Sequence, residues 1–223
     1  MSIFPPAFFV TGTDTGIGKT FVSAVLTVGL NAAYWKPIQS GFSPADPGDR
    51  EWIRQVTGLE NRRFHPEAYL LSRPLSPHAA AVLDDLYIDL ETIRLPGENF
   101  LPHLIVEGAG GVMVPINMRQ TMIDLILHLH LPALVVAANR LGTINHTLLT
   151  LEKLRDKGVP VIGVVLNGPR DPINRRAIEE FGKVTVLAEL ETIEKIDYHA
   201  LLDVFVERFG SCYAAGLGAA SGG

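Results

Sequence analysis

The sequence contains one cysteine, Cys212, in 223 residues. A single cysteine excludes an internal disulfide and a cysteine-based metal site, and we expect a protein of the reducing cytoplasm. Long apolar segments are also lacking, and no basic residue precedes the apolar run near the N-terminus, which passes directly into a glycine-rich turn. The sequence therefore predicts neither a signal peptide nor a membrane span.

Positive charge is scarce, because 19 Lys and Arg residues stand against 24 Asp and Glu residues, for a formal net charge of −5. Proteins that bind nucleic acid usually present a basic surface, so this balance gives no support for such a partner. Hydrophobic residues make up 47% of the chain, enough for one large core. We predict one domain, residues 1–209, and a disordered tail, residues 210–223, that is rich in Gly and Ala and lacks charge.

The most informative stretch is residues 8–20, with the sequence FFVTGTDTGIGKT. A short apolar strand leads into a glycine turn, and apolar residues then recur at helical spacing. In this arrangement, backbone N–H groups of the turn and the start of the helix hold phosphate oxygens. Lys19 would add charge at the outer phosphates and the Thr20 hydroxyl would bind Mg2+. The pattern departs from a full phosphate-binding loop at Thr13, where glycine is usual, and the alternative is an ordinary helix start with a surface lysine.

Further apolar segments alternate with predicted helices along the rest of the chain. Predicted strands cover residues 32–38, 104–106, 132–138, 159–166 and 184–187. Strands that are apolar throughout and joined by helices predict an α/β fold, with a mostly parallel sheet covered on both faces, as in P-loop NTPases. Functional residues of such folds collect at the carboxyl ends of the strands. Those ends carry Lys19, Lys36, Glu107, Asn139 and Asn167.

Several of these positions suggest particular chemistry. Lys36 and Ser40 would project to the same side if the strand stays extended past Pro37. Glu107 directly follows an apolar strand, which is typical of a Mg2+ contact opposite a phosphate loop. Asp46 and Asp49 are the acids of the turn-rich loop 41–49. Either could reach a metal, or simply cap the helix predicted from Asp49 to Thr57.

Helix starts elsewhere in the chain give further expectations. Residues 139–146 lead into a helix whose start is a second possible anion site. Thr121 and Asp124 form a capping box. Ser76 is expected as the N-cap of an alanine-rich helix with Pro77 at its first position. His128 and His130 would face different sides of a helix and are not expected to form a metal pair.

Five segments together resemble dethiobiotin synthetase, a family of the biotin pathway, in collinear order from about residue 7 to 190. They are GTDTGIGKT (12–20), YWKPIQSG (34–41), SPH (76–78), VEGAGG (106–111) and LGTINH (141–146). The resemblance implies an enzyme that converts 7,8-diaminopelargonic acid, CO2 and ATP into dethiobiotin, ADP and phosphate with Mg2+. It also implies a cytoplasmic homodimer whose substrate lies across the subunit interface, with no membrane partner.

The resemblance also implies roles for individual residues. Catalytic roles fall on Lys19, Lys36 and Thr15. ATP binding falls on Thr13, Asp14, Thr15, Gly16, Ile17, Gly18, Lys19, Thr20 and Asn167. Substrate binding falls on Ser40 and on Gly142, Thr143, Ile144 and Asn145 from the other subunit. Mg2+ binding falls on Thr20, Asp49 and Glu107.

The resemblance does not assign a definite role to every residue that it covers. Gly16 stands where some members of the family carry an acid or Asn, so no side-chain role transfers to it. Asp46 is a rival of Asp49 because the loop between them is variable. Ser76 and His78 match the family without an implied role.

Two other functions remain alternatives. A nucleotide-dependent switch of the partitioning-ATPase type has a similar sheet but predicts a second lysine in the phosphate loop, and residues 13–17 contain none. It would also favour a basic DNA-facing patch or an amphipathic tail, which the acidic balance and the neutral tail do not offer. The other alternative is a related ligase that activates a carboxylate instead of CO2.

Overall fold

The computed structural model of the chain describes residues 3–97 and 102–218, with side chains up to residue 210. The strands are β1 Ala7–Gly12, β2 Ala33–Trp35, β3 Ile38–Ser40, β4 Phe64–His65, β5 Tyr69–Leu71, β6 Leu104–Gly111, β7 Ala133–Ala138, β8 Val161–Asn167 and β9 Val186–Leu190. The α-helices are α1 Lys19–Gly29, α2 Asp49–Thr57, α3 Pro77–Leu83, α4 Met122–His128, α5 Thr143–Asp156, α6 Pro172–Gly182 and α7 Tyr198–Gly218.

Seven strands form the main sheet in the order β4-β2-β6-β1-β7-β8-β9, and every pair is parallel. The central strand, β1, delivers the glycine turn at its carboxyl end. The sequence of β1 shows why both faces are covered: Phe9 packs into one apolar core, whereas Phe8 and Val10 pack into the other. Helices α1 and α7 cover the second face, and α4 and α5 the first. The predicted α/β fold is confirmed.

The strand predicted over residues 32–38 is in fact two strands in two sheets. β2 belongs to the main sheet, and β3 pairs with β5 in a separate sheet of two strands. The break falls at Pro37, which has no N–H to donate to a strand ladder. Its carbonyl oxygen instead accepts hydrogen bonds from the N–H groups of Ala68 and Tyr69, both at 2.9 Å. Lys36 therefore follows the end of β2, whereas Ser40 ends β3.

The other predicted ends of strands and helices lie closer to those in the structure. β6 continues to Gly111 instead of ending before Glu107, because its last residue still pairs with Gly12 of β1. α2 spans Asp49–Thr57 as predicted. The capping box of α4 is present, since the carboxylate of Asp124 accepts from the N–H group of Thr121 at 2.7 Å.

The C-terminal segment differs from the sequence-based expectation. Disorder is predicted from Gly210, whereas α7 continues to Gly218. Alanine and leucine in this segment favour helix. Residues 219–223, the rest of the predicted tail, lie outside the described residues, and the domain limit at residue 209 stays a prediction. Among the helices that the structure describes, none is long and apolar enough to cross a membrane.

Candidate functional site

The turn after β1 has the conformation that its sequence suggests. Gly16 and Gly18 have φ angles of 68° and 91°, in the left-handed region that favours glycine. Thr13 donates its N–H to the carbonyl of Val136 at 3.0 Å, so it extends the pairing between β1 and β7. Thr13 is not among the residues with a positive φ angle, so its backbone does not require glycine. The Nζ of Lys19 folds back on the turn and donates to the carbonyl of Asp14 at 2.9 Å.

A cavity of about 720 Å³ opens beside this turn. It unites side chains that the sequence places far apart. They come from the glycine turn, from the residue that follows β2, from β3, from the start of α2 and from β6. The predicted residues that line it are Thr15, Gly16, Gly18, Lys19, Thr20, Lys36, Ser40, Asp49 and Glu107. The hydroxyl of Ser40 is buried and has no hydrogen-bond partner within the described residues. An orphaned buried hydroxyl at a cavity wall is suited to a polar ligand.

Lys36 contacts two carboxylates of the cavity. Its Nζ contacts the carboxylate of Asp49 and lies 3.3 Å from Oε1 of Glu107. Burial acts to lower the pKa of Lys36, but the two carboxylates outweigh it, so the pKa is raised. Burial likewise acts to raise the pKa of Asp49, and Lys36 overcomes it, so that pKa is lowered. Both groups are therefore charged at neutral pH.

The pKa of Lys19 shifts in the opposite direction to that of Lys36. Burial is the largest influence and lowers its pKa to about 8, although Glu107 acts in the opposite direction. The positive charge of Lys19 is thus less compensated by protein carboxylates than that of Lys36. Such a charge beside a phosphate-binding turn is suited to a polyanionic ligand.

Glu107 is the point where these elements meet. The Thr20 hydroxyl donates to its Oε1 at 3.0 Å, and the Tyr34 hydroxyl donates to its Oε2 at 3.1 Å. Burial, followed by the charge of Glu107, raises the pKa of Tyr34 well above its usual value, so the phenol stays neutral. Sequence reasoning missed Tyr34. The available signal was its position next to the lysine segment on a strand, with a polar group in an otherwise apolar run.

The chain is similar in sequence to known proteins whose names describe them as ATP-dependent. A family model described as an AAA domain matches residues 6–200. The ATP-dependent dethiobiotin synthetase BioD of Paramagnetospirillum magneticum is 52% identical over 84% of this chain and 89% of the relative. The chain belongs to the dethiobiotin synthetase family. The bifunctional protein BioCD of Bordetella avium, from biotin biosynthesis, is 49% identical over 88% of this chain, which spans 42% of that longer protein.

A solved structure resembles this chain in fold alone. The ParA family ATPase of Chlorobium tepidum TLS has a TM-score of 0.54 and 12% identity, over 97% of this chain and 99% of that one. The 52% identity to the BioD relative confirms, at the level of the family, the resemblance stated from five sequence segments. The partitioning-type alternative shares the fold but lacks comparable sequence identity.

The two candidate aspartates, Asp46 and Asp49, occupy different environments in the structure. Asp49 begins α2 and lies against Lys36, whereas Asp46 is exposed and its Oδ1 accepts from the N–H of Gly48 at 3.2 Å. The N-cap of α2 is Gly48, with no side-chain cap. Capping, the ordinary explanation for an aspartate here, therefore does not account for Asp49.

The oxygen atoms around Glu107 suit Mg2+. Carboxylate and hydroxyl oxygens from Thr20, Asp49 and Glu107 converge on one side of the cavity. The described residues contain no group of three or more His, Cys, Asp or Glu residues able to hold a metal. Mg2+ usually binds through one or two carboxylates together with substrate phosphates and water, so this donor set fits it.

The start of α5 does not line this cavity within one chain. Gly142 is the N-cap with a φ angle of 93°, and Leu141 before it is fully exposed. Asn145 is exposed, while Thr143 is buried and its hydroxyl has no partner in the described part of the chain. The four substrate-binding residues predicted at the start of α5, residues 142–145, are thus separate from Ser40 and the other predicted site residues in a single subunit.

Ser76 and His78 lie next to each other at the start of α3. Ser76 is the N-cap and Pro77 takes the first turn as predicted, but the Ser76 hydroxyl pairs with Nδ1 of His78 at 3.0 Å instead of capping the helix. Ser76 lines the cavity together with Pro74, Leu75 and Pro77, which sequence reasoning did not assign to the site. His128 contacts the carbonyl of Ile93 at 3.0 Å, a structural role.

Proposed function

We propose that this protein is an ATP- and Mg2+-dependent dethiobiotin synthetase, which converts 7,8-diaminopelargonic acid, CO2 and ATP into dethiobiotin, ADP and phosphate. The observation that carries the proposal is the 52% identity to a named dethiobiotin synthetase over most of both chains. Its support in the structure is a cavity lined by part of the glycine turn, by Lys19 and Lys36, and by Ser40, whose buried hydroxyl has no partner within the described residues.

Binding of ATP falls to the glycine turn. Backbone N–H groups of residues 13–18 and the start of α1 would hold the phosphates, since a helix N-terminus attracts anions. Asn167 contacts the glycine turn from the end of β8, where its side-chain amide donates to the carbonyl of Ile17 at 3.0 Å. We assign it to the adenine end of ATP. The ATP-binding residues of the proposal are Thr13, Asp14, Thr15, Gly16, Ile17, Gly18, Lys19, Thr20 and Asn167.

The first chemical step is formation of a carbamate. One amine of the substrate bonds to the carbon of CO2 and loses a proton to solvent, leaving a negatively charged carbamate. Lys36 stands on the cavity wall beside the glycine turn and is held charged by its carboxylate neighbours. Its charge would stabilise the carbamate oxygens, and Ser40 would accept or donate a hydrogen bond at the diamine end.

The second step transfers the γ-phosphoryl group. A carbamate oxygen attacks the γ-phosphorus, and the bond to the β-phosphate oxygen breaks to release ADP. Lys19 and Lys36 line the same cavity, would flank this position and would stabilise the charge that spreads over the phosphoryl oxygens. Thr15 lines the same wall and would contact the transferring group.

The third step closes the ring. The second amine attacks the carbamoyl carbon of the mixed anhydride, phosphate leaves with the electrons of the C–O bond, and the amine proton is released. The ureido ring of dethiobiotin is complete after this step. Positioning is the main contribution of the protein, because both amines must lie on one side of the same carbon.

Mg2+ would be held by Thr20, Asp49 and Glu107, and would neutralise charge on the β- and γ-phosphates when bound. The hydroxyl of Thr20 already lies 3.0 Å from Glu107. In the proposal, Asp49 is the ligand from the loop, supported by its contact with Lys36 and by the exposure of Asp46.

We also propose a homodimer in which α5 of one subunit completes the site of the other. Two observations support this proposal: the start of α5 does not reach the cavity of its own chain, and a helix N-terminus of this kind attracts anions such as a substrate carboxylate. Gly142, Thr143, Ile144 and Asn145 would bind that carboxylate. We place the enzyme in the cytoplasm, which agrees with its single cysteine.

The deciding experiment is phosphate release from MgATP and bicarbonate by the purified protein, with and without 7,8-diaminopelargonic acid, and with the product identified by mass. Release that depends on the diamine and yields dethiobiotin is the expected result. Release that ignores the diamine but is stimulated by DNA or lipid would instead indicate a switch ATPase. Release that requires a carboxylate substrate would indicate the related ligase.

A further inference from the structure

Tyr34 presents its side chain to the proposed Mg2+ site from a neighbouring strand. β2 pairs with β6 so that Tyr34 lies opposite Ile105. Residues two apart on a strand share a face, so Glu107 lies one step further along the same face as Ile105. The tyrosine ring therefore reaches along this face until its hydroxyl meets Oε2 of Glu107 at 3.1 Å. The next residue, Trp35, points to the other face and donates to the carbonyl of Pro66.

The two oxygens of the Glu107 carboxylate have different partners. Oε1 faces Thr20 and Lys36, the side on which metal and phosphates would bind. Oε2 faces away, and Tyr34 is its hydrogen-bond donor among the described contacts. Both side chains are buried, with Tyr34 at 0% and Glu107 at 1% exposure. Water therefore cannot easily take the place of the phenol.

Resting on the proposed function, we infer that Tyr34 is a positioning residue, whose hydroxyl fixes the Glu107 carboxylate with Oε1 directed at the Mg2+ site. Mg2+ demands near-ideal octahedral geometry, so the orientation of each ligand oxygen matters. A neutral phenol anchors the carboxylate without adding positive charge that would repel the metal. Lys36 is unable to fill this role alone because Asp49 shares its ammonium group.

The test compares Tyr34→Phe with the unchanged protein in a binding assay that needs no turnover. Binding of a fluorescent ATP analogue is measured in EDTA and then as Mg2+ is added, and the Mg2+ concentration at half-effect is recorded. Loss of a group that orients a metal ligand typically costs about 10-fold to 100-fold in metal affinity, and we expect a rise of that order. Affinity in EDTA should not change. Tyr69→Phe is the matched control, since the Tyr69 hydroxyl bonds to Thr92 outside the cavity.

Equal Mg2+ midpoints for Tyr34→Phe and the unchanged protein would overturn the inference. If Mg2+ has no effect on nucleotide binding by the unchanged protein, the proposed metal site itself fails, which is a different result. A second variant separates positioning from loss of fold. In a Glu107→Gln background, Tyr34→Phe should cause no further rise in the Mg2+ midpoint, because both act through one group. An additional rise of the Mg2+ midpoint in the Glu107→Gln background would contradict the inference. This background also serves if Tyr34→Phe alone folds poorly, because glutamine is neutral and loss of the phenol then leaves no unpartnered buried charge.

Discussion

The side-chain amide of Asn167, the last residue of β8, donates to the backbone carbonyl of Ile17 at 3.0 Å, across 150 positions of sequence. The contact ties the glycine turn after β1 to a strand two places away in the sheet. It also explains why glycine is needed next to Ile17. A Cβ on Gly18 would lie 2.1 Å from Nδ2 of Asn167.

Gly18→Ala is therefore predicted to displace Asn167 and to weaken ATP binding by about 10-fold or more, since the φ angle of 91° is also strained for alanine. Gly16→Ala is the matched control in the same turn: its φ angle is also positive, but no atom lies within 4 Å of the added Cβ. Titration with ATP measures both. Equal losses would mean that backbone strain, and not the contact with Asn167, sets the requirement.

Lys36→Ala is predicted to leave ATP binding largely intact and to lower turnover by about 100-fold or more. The reason is that its charge is needed most where negative charge develops, on the carbamate and the transferring phosphoryl group. Steady-state kinetics with saturating substrates, together with ATP titration, separate the two effects. Lys157→Ala, at an exposed lysine, is the control. Loss of ATP affinity with unchanged turnover at saturation would show that the assigned role is wrong.

Asp49→Asn and Asp46→Asn test which loop carboxylate serves Mg2+. We expect Asp49→Asn to raise the Mg2+ concentration required for half-maximal activity by about 10-fold, because carboxylates are preferred Mg2+ ligands and Asp49 lines the cavity. Asp46→Asn should have little effect, since its carboxylate is exposed and bonds to the adjacent turn. Each variant is assayed over a range of Mg2+ at fixed ATP. The opposite ranking would transfer the role to Asp46.

Asn145→Asp places a negative charge at the start of α5 without changing side-chain size. The added charge favours the helix itself but repels a carboxylate bound at its N-terminus. We predict a rise of about 10-fold in KM for the diamine, unchanged KM for ATP and no loss of thermal stability. Asn61→Asp adds the same charge away from the site. An unchanged KM for the diamine would remove α5 from the substrate site.

His65 gives a prediction about pH and stability. Burial lowers the pKa of His65 below its usual value of 6.5. As the pH falls, His65 is therefore protonated at a higher pH in the unfolded chain than in the folded chain. The free energy of unfolding decreases as the pH falls from the unfolded to the folded pKa of His65, and it stays lower below that interval. We expect His65→Gln to lose less free energy of unfolding than the unchanged protein between pH 8 and pH 5, measured in urea. The exposed His199→Gln should behave like the unchanged protein; a matching loss for His65→Gln would refute the assignment.

Much of the fold was predictable because its signals are local. The apolar run of β1, the glycine turn and the helical spacing of α1 occur within one short segment, and the capping box of α4 is similarly local. The break at Pro37 was only partly predictable. The sequence contains the proline, but it does not show that Tyr69 in another segment pairs with the residues beyond it.

For the candidate site, the sequence identified the chemical groups and the tertiary structure decided their neighbours. Lys19, Lys36 and Glu107 follow from the rule that functional residues collect at the carboxyl ends of parallel strands. The path of the turn-rich loop decides whether Asp46 or Asp49 faces Lys36. Strand register decides that Tyr34 reaches Glu107. Residue type and periodicity are properties of the chain, so the sequence alone determined the α/β class, the phosphate turn and the family. Distances between strands separated by whole helices arise only when the sheet forms, and tertiary structure alone therefore decided which oxygen of Glu107 each partner holds.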